Sequence, residues 1–277
     1  MKNITRIAQI IFAVPWLVFG AQHFMLVDFV AALVPAYFPA RWFWAYLTGA
    51  AMIAAAVSLI AGVKARLAAV LLGAMLMTFV LLIHIPKLAG GGSTAISWTR
   101  ALQDLAIAST AFMLAGALTM RKTESDVVDK IARLSRYVFA ILLIVFGAAQ
   151  FLNLDFLTAK VATFLPSRMF WVYLTGAAMV AAGVSILTNK KARLAAFAVG
   201  VLMLILNLLL HIYLLASSPQ TPLLWTAAML DLAITCGAFV LATTLPTESV
   251  ELPAENNVQT SSSALSAAQN RHGHFGD

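Results

Sequence analysis

Eight long apolar runs, separated by short polar or proline-containing stretches, limit most strongly how this chain can fold. Each run is close to the ~20 residues that an α-helix needs to cross about 30 Å of hydrocarbon. Because the chain is 62% hydrophobic and only 10% charged, it has too few polar side chains to cover eight such runs in water. The sequence therefore predicts transmembrane helices near residues 7–26, 42–62, 66–88, 98–119, 134–153, 169–188, 193–215 and 224–245.

The pattern of these runs occurs twice. "RWFWAYLTGAAM" (41–52) and "RMFWVYLTGAAM" (168–179) are identical at ten of twelve positions, at an offset of 127 residues. A long internal repeat is the signature of a duplicated structural unit. Each unit has an even number of spans, so both enter the membrane in the same orientation. We therefore predict an all-α polytopic membrane protein, with two parallel four-helix bundles related by a pseudo-two-fold axis along the membrane normal.

The repeat also divides the chain into segments. Residues 1–119 and 134–245 are predicted to be the two four-helix units, joined by a charged cytoplasmic linker at 120–133 that could form a short surface helix. The polar tail at 246–277 is predicted to be disordered, since it has little apolar surface to bury.

Basic residues set the predicted orientation. Of the Lys and Arg residues before the tail at 246–277, twelve lie on one side of the eight-span arrangement and five on the other, which is a strong positive-inside signal. Both termini are therefore predicted to be cytoplasmic, in a bacterial inner (plasma) membrane. The basic residues that give the net charge of +7 then mark the cytoplasmic side, where they face anionic lipid. The predicted partner is the lipid bilayer, and nucleic acid is not a predicted partner.

Small residues follow the aromatic start of the second helix of each unit. In lipid, small residues let helix backbones approach closely. We expect Gly49 and Ala50, and their counterparts Gly176 and Ala177, to be buried between helices.

Ionisable and polar residues inside the spans gather near the outer side. Such residues are costly in hydrocarbon and are candidates for function. Because they share a depth on neighbouring spans, we expect His84 to hydrogen-bond Asp104 and His211 to hydrogen-bond Asp231. The predicted polar pocket comprises His23, His84, Arg100, Gln103, Asp104, His211 and Asp231.

Several roles fit this cluster. Each His–Asp pair could tether two helices, or form a site for a quinone headgroup or a proton-coupled substrate, since a carboxylate can poise an imidazole to move a proton. A zinc or copper site of His23, His84 and Asp104 and haem ligation by His84 and His211 are the less favoured alternatives, and no metal ligand is assigned. The sequence has no motif of a soluble enzyme, so catalytic residues are not assigned and enzymatic activity stays an open question.

Each unit also resembles a known family. Gly20, Phe24, Asp28-Phe29, Pro39-x-Arg41 and Tyr46-Leu47, with "LLIHIPKL" (81–88), Trp98 and Asp104, are similar to the DoxX-like family of small membrane proteins. The usual member has one four-helix unit, and this chain resembles two fused units. Some relatives are associated with thiosulfate:quinone oxidoreduction or with membrane oxidoreductase complexes. The resemblance implies quinone as a cofactor and other membrane redox subunits as partners. Related thiol-handling branches use cysteine pairs, whereas this chain has one cysteine, Cys236.

The leading functional hypothesis is therefore an accessory or quinone-linked subunit of a membrane oxidoreductase system, with its polar pocket near the outer face. A small-solute transporter and a purely structural membrane scaffold are the alternatives. Transporters place polar groups or broken helices near the midplane, whereas the polar residues of this chain lie in the outer third of the spans, which favours the first hypothesis.

Overall fold

Long apolar helices, joined by short turns, build the whole fold. The computed structural model describes residues 2–90, 94–119 and 127–245, and this part of the chain contains no β-strand. In chain order the elements are α1 (Lys2–Met25), α2 (Val27–Leu33), α3 (Arg41–Ala61), α4 (Ala65–Phe79), a π-helical turn (Val80–His84), α5 (Ile85–Ala89), α6 (Ala95–Ala117), α7 (Val127–Leu152), α8 (Leu154–Lys160), α9 (Arg168–Thr188), α10 (Ala192–Ser217) and α11 (Pro222–Thr244).

Seven helical stretches within the described residues are long and apolar enough to cross a membrane. They confirm the prediction of a multi-pass membrane protein. The predicted fourth span corresponds to α6, which is 23 residues long but is not among the seven. Its first half carries Arg100, Gln103 and Asp104, and these side chains lower its mean hydropathy.

The turns at one end of the spans depend on residues in the left-handed backbone region. Gly62 ends α3 at φ 76°, a conformation in which glycine has no Cβ to clash. Asn189 takes the same place after α9 at φ 59°, consistent with the tolerance of asparagine for this region. The next helices start directly afterwards, so α3–α4 and α9–α10 are tight antiparallel hairpins.

Two short helices, α2 and α8, follow α1 and α7 directly. The chain then runs through a proline-containing stretch into α3 and α9. The indole Nε1 of Trp44 donates to the carbonyl of Pro39 at 3.0 Å, and that of Trp171 donates to the carbonyl of Pro166 at 3.0 Å. These bonds fix the angle at which each stretch enters the following helix.

Glycines bring the first two long helices of each half into backbone contact. A Cβ added at Gly20 would lie 2.9 Å from the carbonyl oxygen of Gly49, and one added at Gly147 would lie 2.6 Å from that of Gly176. Gly49 and Gly176 are thus buried between helices, as predicted. The same prediction is wrong for Ala50 and Ala177, which are exposed, because they are on the faces of α3 and α9 that turn away from this contact.

The core runs through both halves of the sequence. α6 packs against α4, α7 and α11, while α11 also packs against α1 and α10. Buried side chains from both halves join in one hydrophobic cluster, with Phe12, Trp16 and Phe139 among the largest. The described residues up to Leu245 consequently form one compact unit.

The predicted linker is partly helical. Residues 127–133 are the first turns of α7, which continues without a break into the span. Residues 120–126 and the predicted disordered tail at 246–277 lie outside the described residues.

Candidate functional site

The first His–Asp pair joins the end of the π-helical turn to α6. His84 Nε2 donates to Asp104 Oδ2 at 2.8 Å, which confirms the hydrogen bond expected from the sequence. Asp104 lies nine residues after the start of α6, or about 13.5 Å along the helix axis. The side chains of His84 and Asp104 are 16% and 20% exposed, so the pair is mostly but not fully enclosed.

The helix widens next to His84 because Pro86 follows it. Proline has no N–H to donate to the carbonyl four residues earlier, and its ring clashes with that carbonyl. The carbonyl affected is that of Leu82, and the hydroxyl of Tyr37 donates to it instead. The N–H of Ile85 reaches back to the carbonyl of Val80, as in a π-helix. In the second half Tyr213 occupies the position of Pro86, and α10 is continuous.

The second His–Asp pair has the same hydrogen bond but different surroundings. His211 Nε2 donates to Asp231 Oδ2 at 3.0 Å, as expected from the sequence. The side chain of His211 is only 7% exposed, whereas that of Asp231 is 46% exposed. His211 Nδ1 and Asn207 Nδ2 are both buried without a hydrogen-bond partner in the described part of the chain. The carboxylate of this pair is therefore open, and its imidazole is enclosed.

The other predicted pocket residues in the first half make their side-chain hydrogen bonds within their own helices. His23 Nδ1 bonds the carbonyl of Phe19 at 2.7 Å, and its Cβ packs against Gly49. Arg100 Nη1 donates to Gln103 Oε1 at 3.3 Å. Among residues 2–90, 94–119 and 127–245, no hydrogen bond or ion pair joins these three side chains to His84 or Asp104.

A polar contact between the two halves was not predicted. Gln22 Nε2 donates to the carbonyl of Pro222 at 3.2 Å, and Thr226 Oγ1 donates to Gln22 Oε1 at 3.1 Å. Both bonds connect the end of α1 to the start of α11. Nothing in the sequence indicates that the hydrogen-bond partners of Gln22 are about 200 residues away along the chain.

Three further residues that shape the sites could have been found by comparing the halves. Pro86 corresponds to Tyr213, Tyr37 to Phe164, and Asn207 to Val80. Each difference changes the hydrogen-bonding capacity beside a histidine that both halves retain. Substitutions of this kind within an otherwise matched pattern are the signal that sequence analysis could have used.

The described residues do not form a metal site. The described residues contain no group of three or more His, Cys, Asp or Glu side chains that could hold a metal ion. The suggested zinc or copper site of His23, His84 and Asp104 is therefore not formed. Each pair can accept, hold and release a proton, and each can accept a hydrogen bond.

Protein-family profiles, curated proteins and solved structures were each compared with this chain, and no match was found in any of the three.

Proposed function

We propose that this protein is a multi-pass inner-membrane protein of DoxX-like type that serves as an accessory or quinone-linked subunit of a membrane oxidoreductase system. The observation that carries the proposal is the His84–Asp104 hydrogen bond of 2.8 Å, in which both side chains are partly exposed. A purely structural tether would function equally well if it were fully enclosed. A partly exposed pair can also exchange a proton with a bound molecule.

The chemistry of the pair follows from its geometry. The carboxylate of Asp104 accepts from His84 Nε2, so in neutral His84 the other nitrogen, Nδ1, is free to accept a proton. Nδ1 has no hydrogen-bond partner within the described residues. A quinone supplies redox chemistry in which protons are taken up and released at its oxygens. His84 would hold or return such a proton at Nδ1, while Asp104 stabilises the imidazolium.

The proposed architecture has eight spans, with α6 as the fourth, arranged as two parallel four-helix bundles about a pseudo-two-fold axis. α6 is 23 residues long, which is enough to cross the hydrocarbon. Matching contacts at positions 127 residues apart support a common architecture for the two units. Besides the His–Asp pairs, these are the Trp44–Pro39 and Trp171–Pro166 bonds.

The proposed orientation has both termini in the cytoplasm. Fusions of a periplasmic phosphatase and a cytoplasmic fluorescent reporter after residues 30, 64, 92 and 125 are expected to report outside, inside, outside and inside, because the basic residues cluster at 64–66 and 121–136. Phosphatase activity at residue 125 would contradict the eight-span arrangement, since it would leave α6 outside the membrane.

The redox-linked role is tested by quinone binding. His84→Gln keeps a donor for Asp104, so the variant should fold normally. Its side chain cannot carry a proton. In lipid nanodiscs that contain quinone in its reduced form, whose O–H can donate to His84 Nδ1, the purified wild-type protein is expected to retain the quinone, and His84→Gln to retain at least about 10-fold less, the loss expected when a hydrogen bond worth ~1.4 kcal/mol is removed.

Arg41→Gln is the control, because Arg41 is an exposed polar residue at the start of α3 and no hydrogen bond or ion pair joins it to His84 or Asp104 in the described part of the chain. It should bind quinone as the wild type does. If the wild type binds no quinone, or if His84→Gln binds it equally well, the quinone-linked role is wrong and the pair acts only as a tether.

A further inference from the structure

The histidines of the two His–Asp pairs differ at Nδ1, the ring nitrogen that does not bind the aspartate. In the described part of the chain, Nδ1 of His211 is a buried nitrogen without a hydrogen-bond partner, and Nδ1 of His84 is not among such buried atoms. Since His84 Nδ1 makes no hydrogen bond there either, it keeps some exposed surface. The whole side chains agree with this difference, at 16% exposure for His84 and 7% for His211. Of the two pairs, only the first therefore offers an imidazole nitrogen to a molecule outside the protein.

The backbone beside the two histidines also differs. His84 is the last residue of the π-helical turn, whereas α10 passes through His211 without a break. A π-helical turn holds more residues than an α-helical turn, so it changes the rotation of the side chains at its end relative to the helix before it. The direction of the His84 side chain therefore depends on this turn.

The residue two positions after each histidine accounts for the difference in the backbone. Pro86 has no N–H for the carbonyl of Leu82, and its ring excludes a regular α-helical turn at that carbonyl. At the matching position Tyr213 keeps its N–H, and its ring packs against Phe164 with the centroids 5.6 Å apart. The regular helix is thus possible in the second half and is prevented in the first.

Tyr37 compensates for the hydrogen bond that Pro86 removes. A carbonyl without a donor is costly in hydrocarbon, because no water replaces the missing bond. The hydroxyl of Tyr37 donates to the carbonyl of Leu82. The matching residue in the second half is Phe164, which has no hydroxyl, and the continuous helix there needs none. Tyr37 and Pro86 therefore occur together in the first half, and neither has an equivalent in the second.

We propose that Pro86 is a positioning residue, which acts through the π-helical turn to direct His84 so that a hydrogen-bond donor in the membrane can reach Nδ1. Tyr37 stabilises this turn. The second half, with Tyr213 at the matching position, encloses its imidazole and uses the His–Asp bond as a tether. That the donor is a reduced quinone rests on the proposed function, whereas the exposure of Nδ1 does not.

Chemical modification of histidine without any quinone tests the role of Pro86. Diethyl pyrocarbonate acylates an imidazole nitrogen that has a free lone pair, and mass spectrometry of the peptides gives the rate at each histidine of the full-length protein in nanodiscs. In the wild type, His84 should react at least about 10-fold faster than His211, since an enclosed nitrogen reacts only when the structure opens locally. Pro86→Ala restores the missing N–H, and His84 should then react about as slowly as His211. Pro166→Ala, the same change at an exposed proline of the second half, should leave the rate at His84 unchanged.

Thermal unfolding tests the role of Tyr37. Tyr37→Phe should lower the Tm by about 3 °C, the shift expected when one hydrogen bond is lost from a chain of this size. In a Pro86→Ala background the same change should lower the Tm by less than about 1 °C, because the restored N–H supplies the bond. Tyr46→Phe is the matched control, since Tyr46 is also exposed and its hydroxyl makes no hydrogen bond in the part of the chain that the structure describes. It should leave the Tm within about 1 °C of the wild type.

Three results would overturn the proposal. They are a wild type in which His84 reacts no faster than His211, a rate at His84 that Pro86→Ala leaves unchanged, and a Tm loss from Tyr37→Phe that is equal in both backgrounds. Because these measurements contain no quinone, they do not depend on the proposed function. If Pro86→Ala slows the modification of His84 but retains reduced quinone as the wild type does, the positioning role stands and the quinone-linked role is wrong.

Discussion

Gly237→Ala is expected to destabilise the protein by about 2–3 kcal/mol, although alanine normally favours a helix over glycine by up to ~1 kcal/mol. A Cβ at this position would lie 2.3 Å from Thr110 Oγ1 and 2.5 Å from Cε2 of Phe139. Both neighbours are fully buried, at 0% and 1% exposure, on α6 and α7. Three helices meet at this point, so an added methyl group must push at least two of them apart.

Gly200→Ala is the matched control for this prediction. Its added Cβ would lie 3.2 Å from the ring of Phe239, a tight contact that a small ring movement relieves. Unfolding of both variants should be followed by circular dichroism in the same detergent. We expect Gly200→Ala to remain within about 1 kcal/mol of the wild type. If Gly237→Ala is equally well tolerated, the close contact of α6, α7 and α11 is not present in the folded protein.

His84→Leu is expected to destabilise the protein more than His211→Leu, by about 2–4 kcal/mol against less than about 2 kcal/mol. Each substitution removes the donor from a carboxylate. Asp104 is 20% exposed and would be left largely enclosed without a partner. Asp231 is 46% exposed, so water that enters the detergent layer can solvate it more easily when its histidine is lost. Equilibrium unfolding of the two variants, in the same detergent and at the same pH, measures the difference.

The double variant His84→Leu/Asp104→Leu supplies the control for that comparison. If the cost of His84→Leu comes from an unpaired carboxylate, removing Asp104 as well should recover most of the lost stability. A double variant less stable than His84→Leu would indicate that packing around His84 dominates. Equal costs for His84→Leu and His211→Leu would contradict the assigned difference in exposure.

Much of the candidate site was predictable because the depth of a residue in the membrane follows from its position along its span. Counting residues along each predicted span places His84 beside Asp104 and His211 beside Asp231, and both hydrogen bonds are present. Hydropathy likewise predicts the long helices, with ends that mostly differ by a few residues from the observed ones. The larger difference is at α7, which begins at Val127 because the polar turns before the span continue the same helix.

Rotation about the helix axes was harder to predict. Gly49 and Ala50 are adjacent in the sequence, yet one is buried against α1 and the other is exposed. Small residues cover more than one face of α3, so composition could not decide which face packs. The same uncertainty applies to His23, whose depth matches that of His84 but whose hydrogen bond stays within its own helix.

The sequence by itself determined the helical class, the approximate spans and the depth of each polar residue, because these depend on local composition and on the fixed rise of an α-helix. Only the tertiary structure decided which helices are neighbours. It joins α1 to α11 through Gln22 and Thr226, and it brings α6 and α7 together at Thr110 and Phe139. The physical reason is that contacts between distant segments depend on the shapes of whole helix surfaces. No local sequence pattern determines those contacts. Those contacts also make one His–Asp pair differ from the other, since they leave Asp231 open and enclose His211.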